Sequence, residues 1–249
     1  MKNLLDHSIG KTVQSAMQVL IIIPTYNEKE NIESLINSIY TAAAKDIHIL
    51  VVDDASPDGT ASIVENIIKN NNNVHILKRS GKQGVATAFL QGFSWGIENG
   101  FDVLLAMDAD FSHDPCYIPV MLKEIENADL VIGSRNVKGG GIENRTWIRN
   151  FLTKGGSLYC RTILKCPIKD ITGGFNMWRK DTLEKIGLDK VVCRGYSFQI
   201  EMKYKTFKNG LRIAEIPIIF PDRKKGQSKM SGNFLLKALG DVWKIRKLA

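Results

Sequence analysis

The chain is short of cysteine, histidine and long apolar runs, and each shortage removes a class of protein. Four cysteines (Cys116, Cys160, Cys166 and Cys193) and four histidines are scattered over 249 residues without a Cys-x-x-Cys pair. That argues against a disulfide-stapled miniprotein and a structural zinc site, and for reduced, cytosolic-type thiols. A transmembrane helix needs about 20 consecutive apolar residues; the longest run here, Val19–Pro24, has the length of a buried strand. The first 16 residues lack the apolar core of a signal peptide. Met17 stands just before the first apolar run, so residues 1–16 are expected to form an N-terminal extension with little structure. Glycine-rich phosphate loops are missing as well. No Gly-x-Gly-x-x-Gly follows the first strand, and Leu5 stands where a P-loop ending in Gly10-Lys11-Thr12 requires glycine. Gly81-Lys82-Gln83-Gly84 has no Ser or Thr after its lysine. A dinucleotide-dependent dehydrogenase and a P-loop enzyme are therefore disfavoured.

What is present is an ordinary globular composition, 44% hydrophobic and 24% charged, enough for one large α/β domain. The net charge of +8 hides a division. Residues 1–134 carry 9 Lys and Arg against 17 Asp and Glu, a net of −8, and residues 135–249 carry 25 against 9, a net of +16. An acidic front half suits a metal; a basic back half suits phosphates or an anionic surface.

From Gln18 to Gly133 short β-rich runs alternate with helical stretches. The strands are expected at Val19–Ile23, Ile47–Val52, Val74–Leu77, Val103–Met107 and Asp129–Ile132. Between them the pattern predicts helices over Glu30–Ala43, Asp58–Asn70, Gly84–Asn99 and Tyr117–Asn127; Ile32, Leu35, Ile36 and Ile39 make one such stripe. Unbroken apolar strands alternating with helices mean a mostly parallel central sheet covered on both faces, with a Rossmann-like nucleotide-binding half. Ligands of such sheets bind at the carboxyl ends of the strands. After Arg135 the rhythm changes. Gly139–Gly141 is a loop, Trp147–Leu164 and Tyr196–Lys208 are helical, and Phe175–Trp178 and Ile213–Phe220 are strands. Residues 17–232 are read as one catalytic domain and 233–249 as an amphipathic helix. That helix sets Leu235, Leu239, Val242 and Trp243 on one side, with Lys237, Lys244, Arg246 and Lys247 around it. It suits either a lid over the core or a membrane interface.

The residues just past the strands carry the chemistry. Pro24-Thr25-Tyr26-Asn27-Glu28 closes the first, Asp53-Asp54-Ala55-Ser56-Pro57-Asp58-Gly59-Thr60 the second, and Asp108-Ala109-Asp110 the fourth. Carboxylates gathered on one edge repel unless something cationic or hydrogen-bonding sits among them. A hard divalent ion with oxygen ligands meets that need at Asp108 and Asp110, whereas Asp58 suits a helix cap. His113 is read as a metal ligand or a supporting group, Phe175 and Trp178 as core, and Lys224-Lys225 as a solvated loop. Glu201 is read as semi-buried, at the site or beside it.

These residues resemble the family 2 glycosyltransferases of the GT-A fold. Ile132-Gly133-Ser134-Arg135, Asp170–Phe175, Tyr196–Glu201 and the run from Pro221-Asp222-Arg223 to Gly226, Ser228 and Lys229 extend the likeness. Over Gln18–Lys229 the series resembles the dolichol-phosphate (polyprenol-phosphate) mannose synthases. The resemblance implies that Pro24, Tyr26, Glu28, Val51 and Asp53 hold the guanosine of GDP-mannose. It implies that Asp108 and Asp110 bind Mg²⁺ or Mn²⁺ with the diphosphate, with Ala109 packed between them. Arg135, Arg223 and Lys229 would approach donor phosphates and sugar, and Arg135, Arg149 and Thr153 the acceptor phosphate; Asp110, Arg135 and Arg149 are the expected catalytic groups. Ser112 stands where some relatives place a glutamine near the metal. The partners implied are GDP-mannose, a polyprenyl or dolichyl phosphate and the cytoplasmic face of a membrane, with room for a membrane-anchoring partner subunit. The nearest alternative is the same fold acting on UDP-glucose or another sugar nucleotide. A basic nucleic-acid-binding module is disfavoured, because the cations cluster at glycine-rich turns opposite carboxylates.

Overall fold

The computed structural model describes residues 17–43, 46–143, 147–221 and 232–248, with backbone alone for 147–154 and 232–238. The expected extension, residues 1–16, lies outside the described residues. The first half runs β1 (Val19–Thr25), α1 (Ile32–Ala42), β2 (Ile47–Asp53), α2 (Thr60–Ile68), β3 (Val74–Lys78), α3 (Val85–Glu98), β4 (Val103–Ala106), α4 (Ile118–Ile125) and β5 (Leu130–Ser134). The second half runs β6 (Gly141–Glu143), α5 (Trp147–Leu164), β7 (Asn176–Arg179), α6 (Lys180–Ile186), α7 (Ser197–Lys208), β8 (Ile213–Pro217), β9 (Ile219–Pro221) and α8 (Gly232–Leu248).

Among the described residues one seven-stranded sheet is ordered β3-β2-β1-β4-β7-β5-β8, and β6 with β9 forms a two-stranded one. β7 runs antiparallel to β4 and β5; the other pairings are parallel. The expectation of a mostly parallel α/β sheet with helices on both faces holds.

The unbroken apolar strands follow from this three-layer plan, because successive side chains on a strand point to opposite faces. Leu20, Ile22, Leu50, Val52 and Leu104 enter one core with α3, α5, α6, α7 and α8. Ile21, Ile23, Ile49, Val51 and Leu105 enter the other with α1, α2 and α4. α3 sits close to the sheet through Gly92 and Gly96; a Cβ there would run into Ile22 and into Leu104 and Leu20.

Three stretches differ from expectation. Ile213–Phe220 is not one strand. The chain breaks at Ile218, whose N–H bonds Ser134 while its carbonyl takes the Gly141 N–H, so β8 and β9 join different sheets. α6 and β6 carried too short a pattern to be read. α8 buries Val242 and Ile245 completely while leaving Leu239, Trp243 and Leu248 exposed, and Trp243 Nε1 donates to Tyr159 of α5 at 3.0 Å. Among the described residues no helix is long and apolar enough to cross a membrane.

Candidate active site

Parallel register brings the carboxyl ends of β1, β2 and β4 together: Thr25 lies opposite Asp53, and Ile22 opposite Ala106. Past each strand one residue takes positive φ, Asn27 at 61°, Ala55 at 54° and Phe111 at 59°. Asparagine tolerates that conformation; for Ala55 and Phe111 it stores on the order of 1 kcal/mol or more of strain. Three such turns on one edge mark the functional end of the sheet.

The loops after β1 and β2 are laced together. Asn27 N–H donates to Ser56 Oγ at 3.0 Å, Glu28 N–H to Thr60 Oγ1 at 3.0 Å, and Lys29 N–H to Asp58 at 3.1 Å. Asp58 also accepts from the Thr60 amide and hydroxyl, but it stands one residue before the N-cap of α2, which is Gly59 and not Asp58 as expected. Tyr26 is half-buried with Lys82 Nζ 3.9 Å from its ring centre, and Pro24 and Glu28 lie part-exposed beside it. Val51 is fully buried in the core and Asp53 is 1% exposed. Asp53 accepts from the Thr25 hydroxyl (2.8 Å), the Ser56 hydroxyl (2.6 Å) and the Ser56 amide (2.9 Å). Val51 and Asp53 therefore both lie in the interior at the end of β2, below the surface that Tyr26 and Glu28 partly share. Asp54 is equally committed. It pairs with buried Arg79 and accepts from the Gln83 and Gly84 amides, which pins the Gly81–Gly84 loop. Arg79 was missed from sequence, since nothing local distinguishes it from a surface arginine.

Asp108 and Asp110 behave otherwise. Both are part-exposed, with Ala109 buried between them as expected. Asp110 accepts from the Ser112 amide at 3.1 Å. His113 is buried and accepts the Asp108 N–H on Nδ1 at 2.9 Å, so its proton sits on Nε2 and it props the loop rather than binding a metal. Burial lowers its pKa against the pull of Asp108 and Asp110, which keeps the ring neutral. It stacks on Phe175 at 4.8 Å and meets the edge of Phe220 at 5.9 Å, and Arg135 lies 5.3 Å from that Phe220 ring. The acidic loop and Arg135 thus flank one aromatic pair.

Arg135 leaves β5 and is held by Asp170. Its Nε and Nη2 each donate to the carboxylate at 2.7 Å, its amide at 2.9 Å, and Nη2 also reaches Thr172 at 3.3 Å. Burial works to raise the pKa of Asp170, but the Arg135 hydrogen bonds and charge outweigh it and hold the carboxyl below its usual range. Glu201 is 1% exposed and accepts from the Val192 and Cys193 amides and Lys205, so its carboxylate is spent bracing the 190–196 loop. Phe175 and Trp178 are core. Arg149 and Thr153 belong to α5, but their side chains lie outside the described residues, as do Arg223, Lys224, Lys225 and Lys229.

Carboxylate oxygens are hard donors, and half-exposed Asp108 and Asp110 lie within electrostatic reach of the same imidazole. Ser112 Oγ beside them is buried without a hydrogen-bond partner among the described residues. This set fits a hard divalent cation. Among the described residues no three His, Cys, Asp or Glu side chains form a metal cluster, so further ligands would be diphosphate and water oxygens.

Residues 20–187 match the model of the glycosyl transferase family 2. The chain belongs to that family. It is a glycosyltransferase of the GT-A fold, as the first resemblance implied. It is 42% identical over 239 residues to the polyprenol monophosphomannose synthase of Mycolicibacterium smegmatis, covering 94% of this chain and 90% of that one. It is 44% identical over 226 residues to the undecaprenyl-phosphate mannosyltransferase of Micrococcus luteus, covering 91% and 93%. Glucosyl-3-phosphoglycerate synthase from Mycobacterium tuberculosis, solved with Mn²⁺, UDP-glucose and phosphoglyceric acid, superposes with a TM-score of 0.67 at 17% identity, covering 94% of this family 2 chain and 81% of that one. The same enzyme solved with Mg²⁺ and UDP also gives 0.67, at 16% identity.

Proposed function

We propose that the chain transfers mannose from GDP-mannose to a polyprenyl monophosphate with inversion, releasing GDP, at the cytoplasmic face of a membrane. The observation that carries this reading is the pairing of a part-exposed Asp-x-Asp loop with a carboxylate-clamped arginine across one aromatic pair, in a chain whose relatives at 42% and 44% identity are named for that acceptor and that sugar.

The chemistry of the acceptor agrees with the groups present. A phosphomonoester has its second pKa near ~6, so at neutral pH it is already an oxyanion nucleophile and needs no carboxylate base. It needs cations that place it against an anionic donor. Asp170 occupies the Nε and Nη2 side of Arg135, and the Nη1 side is the one assigned to a phosphate oxygen. Arg149 and Thr153 are assigned to the acceptor phosphate, and Arg223 and Lys229 to charge developing on the leaving diphosphate. Pro24, Tyr26 and Glu28 are assigned to the nucleoside, with Val51 and Asp53 buried at the end of β2. Asp108 and Asp110 would hold Mg²⁺ or Mn²⁺, which when bound neutralises diphosphate charge. Peripheral attachment is supported by Leu158, Trp243 and Leu248, exposed at 60%, 46% and 55%, beside Lys244, Arg246 and Lys247. A membrane-anchoring partner subunit is the other route to the lipid.

The test is a donor panel. The chain is incubated with undecaprenyl phosphate, Mg²⁺ or Mn²⁺, and radiolabelled GDP-mannose or UDP-glucose. Labelled lipid is expected from GDP-mannose alone, with the inverted anomer by NMR. Label from UDP-glucose instead overturns the donor, and label from neither overturns the acceptor.

A further inference from the structure

The segment between α5 and β7 touches both halves of the site. Its Asp170 carboxylate clamps Arg135, Thr172 contacts both Arg135 (3.3 Å) and Ser157 (3.2 Å), and Gly174 lies against His113, where a Cβ would come within 3.3 Å of Cε1. It has no regular secondary structure of its own to hold it. It is held by Glu215 of β8, which accepts the Lys169 and Asp170 amides at 2.7 and 2.9 Å, and by α7. Lys203, fully buried, sends Nζ to the carbonyls of Gly173 at 2.6 Å, Asp170 at 3.0 Å and Ile171 at 3.3 Å. One turn earlier Gln199 accepts from Asn176 Nδ2 at 2.8 Å, and that amide also donates to the Gly173 carbonyl at 3.1 Å.

We propose that Lys203 is a positioning residue for the transfer: by tying three carbonyls of the 170–173 turn to α7, it fixes the carboxylate that presents Arg135 and the glycine that backs His113. The proposal rests on the reading of Arg135 as a phosphate-facing group. An ammonium is an expensive group to bury. Its N–H donors meet three carbonyls of the turn, of which Gly173 also takes the Asn176 amide and Asp170 also takes the Gly173 N–H. Burial pushes the Lys203 pKa down to about 7. Asp170, Glu215 and Cys166 work to raise it, and Arg135 adds to the lowering; His113 feels the Lys203 charge in turn. A methionine would fill the same volume without that cost but would remove the three donated bonds that tie the turn to α7. Lys203 itself stands back from the edge, behind the turn, and acts through Asp170.

Lys203→Met keeps the stem and removes every donor; Lys203→Gln keeps a donor and serves if the first variant fails to fold. Amide hydrogen exchange and steady-state transfer from GDP-mannose to undecaprenyl phosphate are measured on the full chain. Exchange at Ile171–Asn176 is expected to rise roughly tenfold or more while β1 and β2 stay protected. The kcat is expected to fall roughly 10- to 100-fold, the cost of a misplacement on the order of 1 Å, with KM for the sugar nucleotide within about threefold. Because the effect passes through Arg135, Arg135→Lys combined with the Lys203 variant should be within about twofold of Arg135→Lys alone. Unchanged exchange overturns the proposal, as does raised exchange at a parent-like kcat. Losses that multiply in the double variant also overturn it, since Lys203 then acts independently of Arg135. A parent-like rate for Arg135→Lys alone overturns the reading of Arg135, and the exchange arm then judges the hold of Lys203 on the turn by itself.

Discussion

Two acidic pairs stand at the ends of β2 and β4, the strands on either side of β1, and do opposite things. Asp53 and Asp54 are 1% and 5% exposed, and their oxygens are taken by Thr25, Ser56, Arg79 and the amides of the Gly81–Gly84 loop. Asp108 keeps 31% of its side chain at the surface and Asp110 is part-exposed beside it. The first pair is construction: a buried carboxylate is tolerated only when hydrogen-bonded or paired, and this pair has gathered such partners from the end of β1 and the loops after β2 and β3. The second is presentation. Its neighbour His113 is a neutral ring that steers the backbone of Asp108 without neutralising its charge. An Asp-Asp step and an Asp-x-Asp step look alike in a sequence; depth below the surface separates them.

Breaking each pair sharpens the contrast. The largest effect is expected from Asp54→Ala, which strands the Arg79 guanidinium in the interior. Losing one partner of a buried pair costs roughly 3–5 kcal/mol, read as a lowered urea midpoint whether or not substrate is present. Next, Asp110→Asn should lower kcat roughly 10²- to 10³-fold, the scale at which lost electrostatic stabilisation is felt, while stability moves by no more than about 0.5 kcal/mol. An equal loss of stability at Asp110 would erase the distinction drawn here.

The smallest effect is one of pH, and it extends the comparison to Asp170, a third carboxylate of the construction type. Its folded-state pKa is lowered below the ordinary 3.8 because Arg135 outweighs burial. A group of that sign contributes its stability fully above the unfolded value and loses it as pH falls through the folded one. Urea unfolding between about pH 6 and 2 should show a decline below about pH 4. Asp170→Asn should be less stable at neutral pH and flatter across that acid range. A parallel decline in parent and variant would remove Asp170 as its source.

Much of this was legible in the chain. The strands β1, β4 and β5 fall where unbroken apolar runs required them, because a strand buried on both faces shows no alternation. The Asp-x-Asp loop could be named because parallel strands deliver their last residues to one edge, and Arg135 because the sequence resembles a family that has an arginine there. Arg79 and Lys203 could not be named. Both look like surface cations in the sequence, and α7 gives no warning, since it is buried all round from Ser197 to Thr206 and carries no polar stripe. Nor could the break at Ile218 be read, because both halves of Ile213–Phe220 are strand; the partner strands differ.

By itself, then, the sequence determined the α/β alternation, the edge where chemistry gathers and the family to which the chain belongs, since these depend on local pattern and order. Tertiary structure alone decided which carboxylates are spent inside and which face outward. It also hung the Asp170 turn from a lysine 33 residues away. The physical reason is burial: the same charged group is cheap at the surface and costly within, and only packing says on which side of that line it falls.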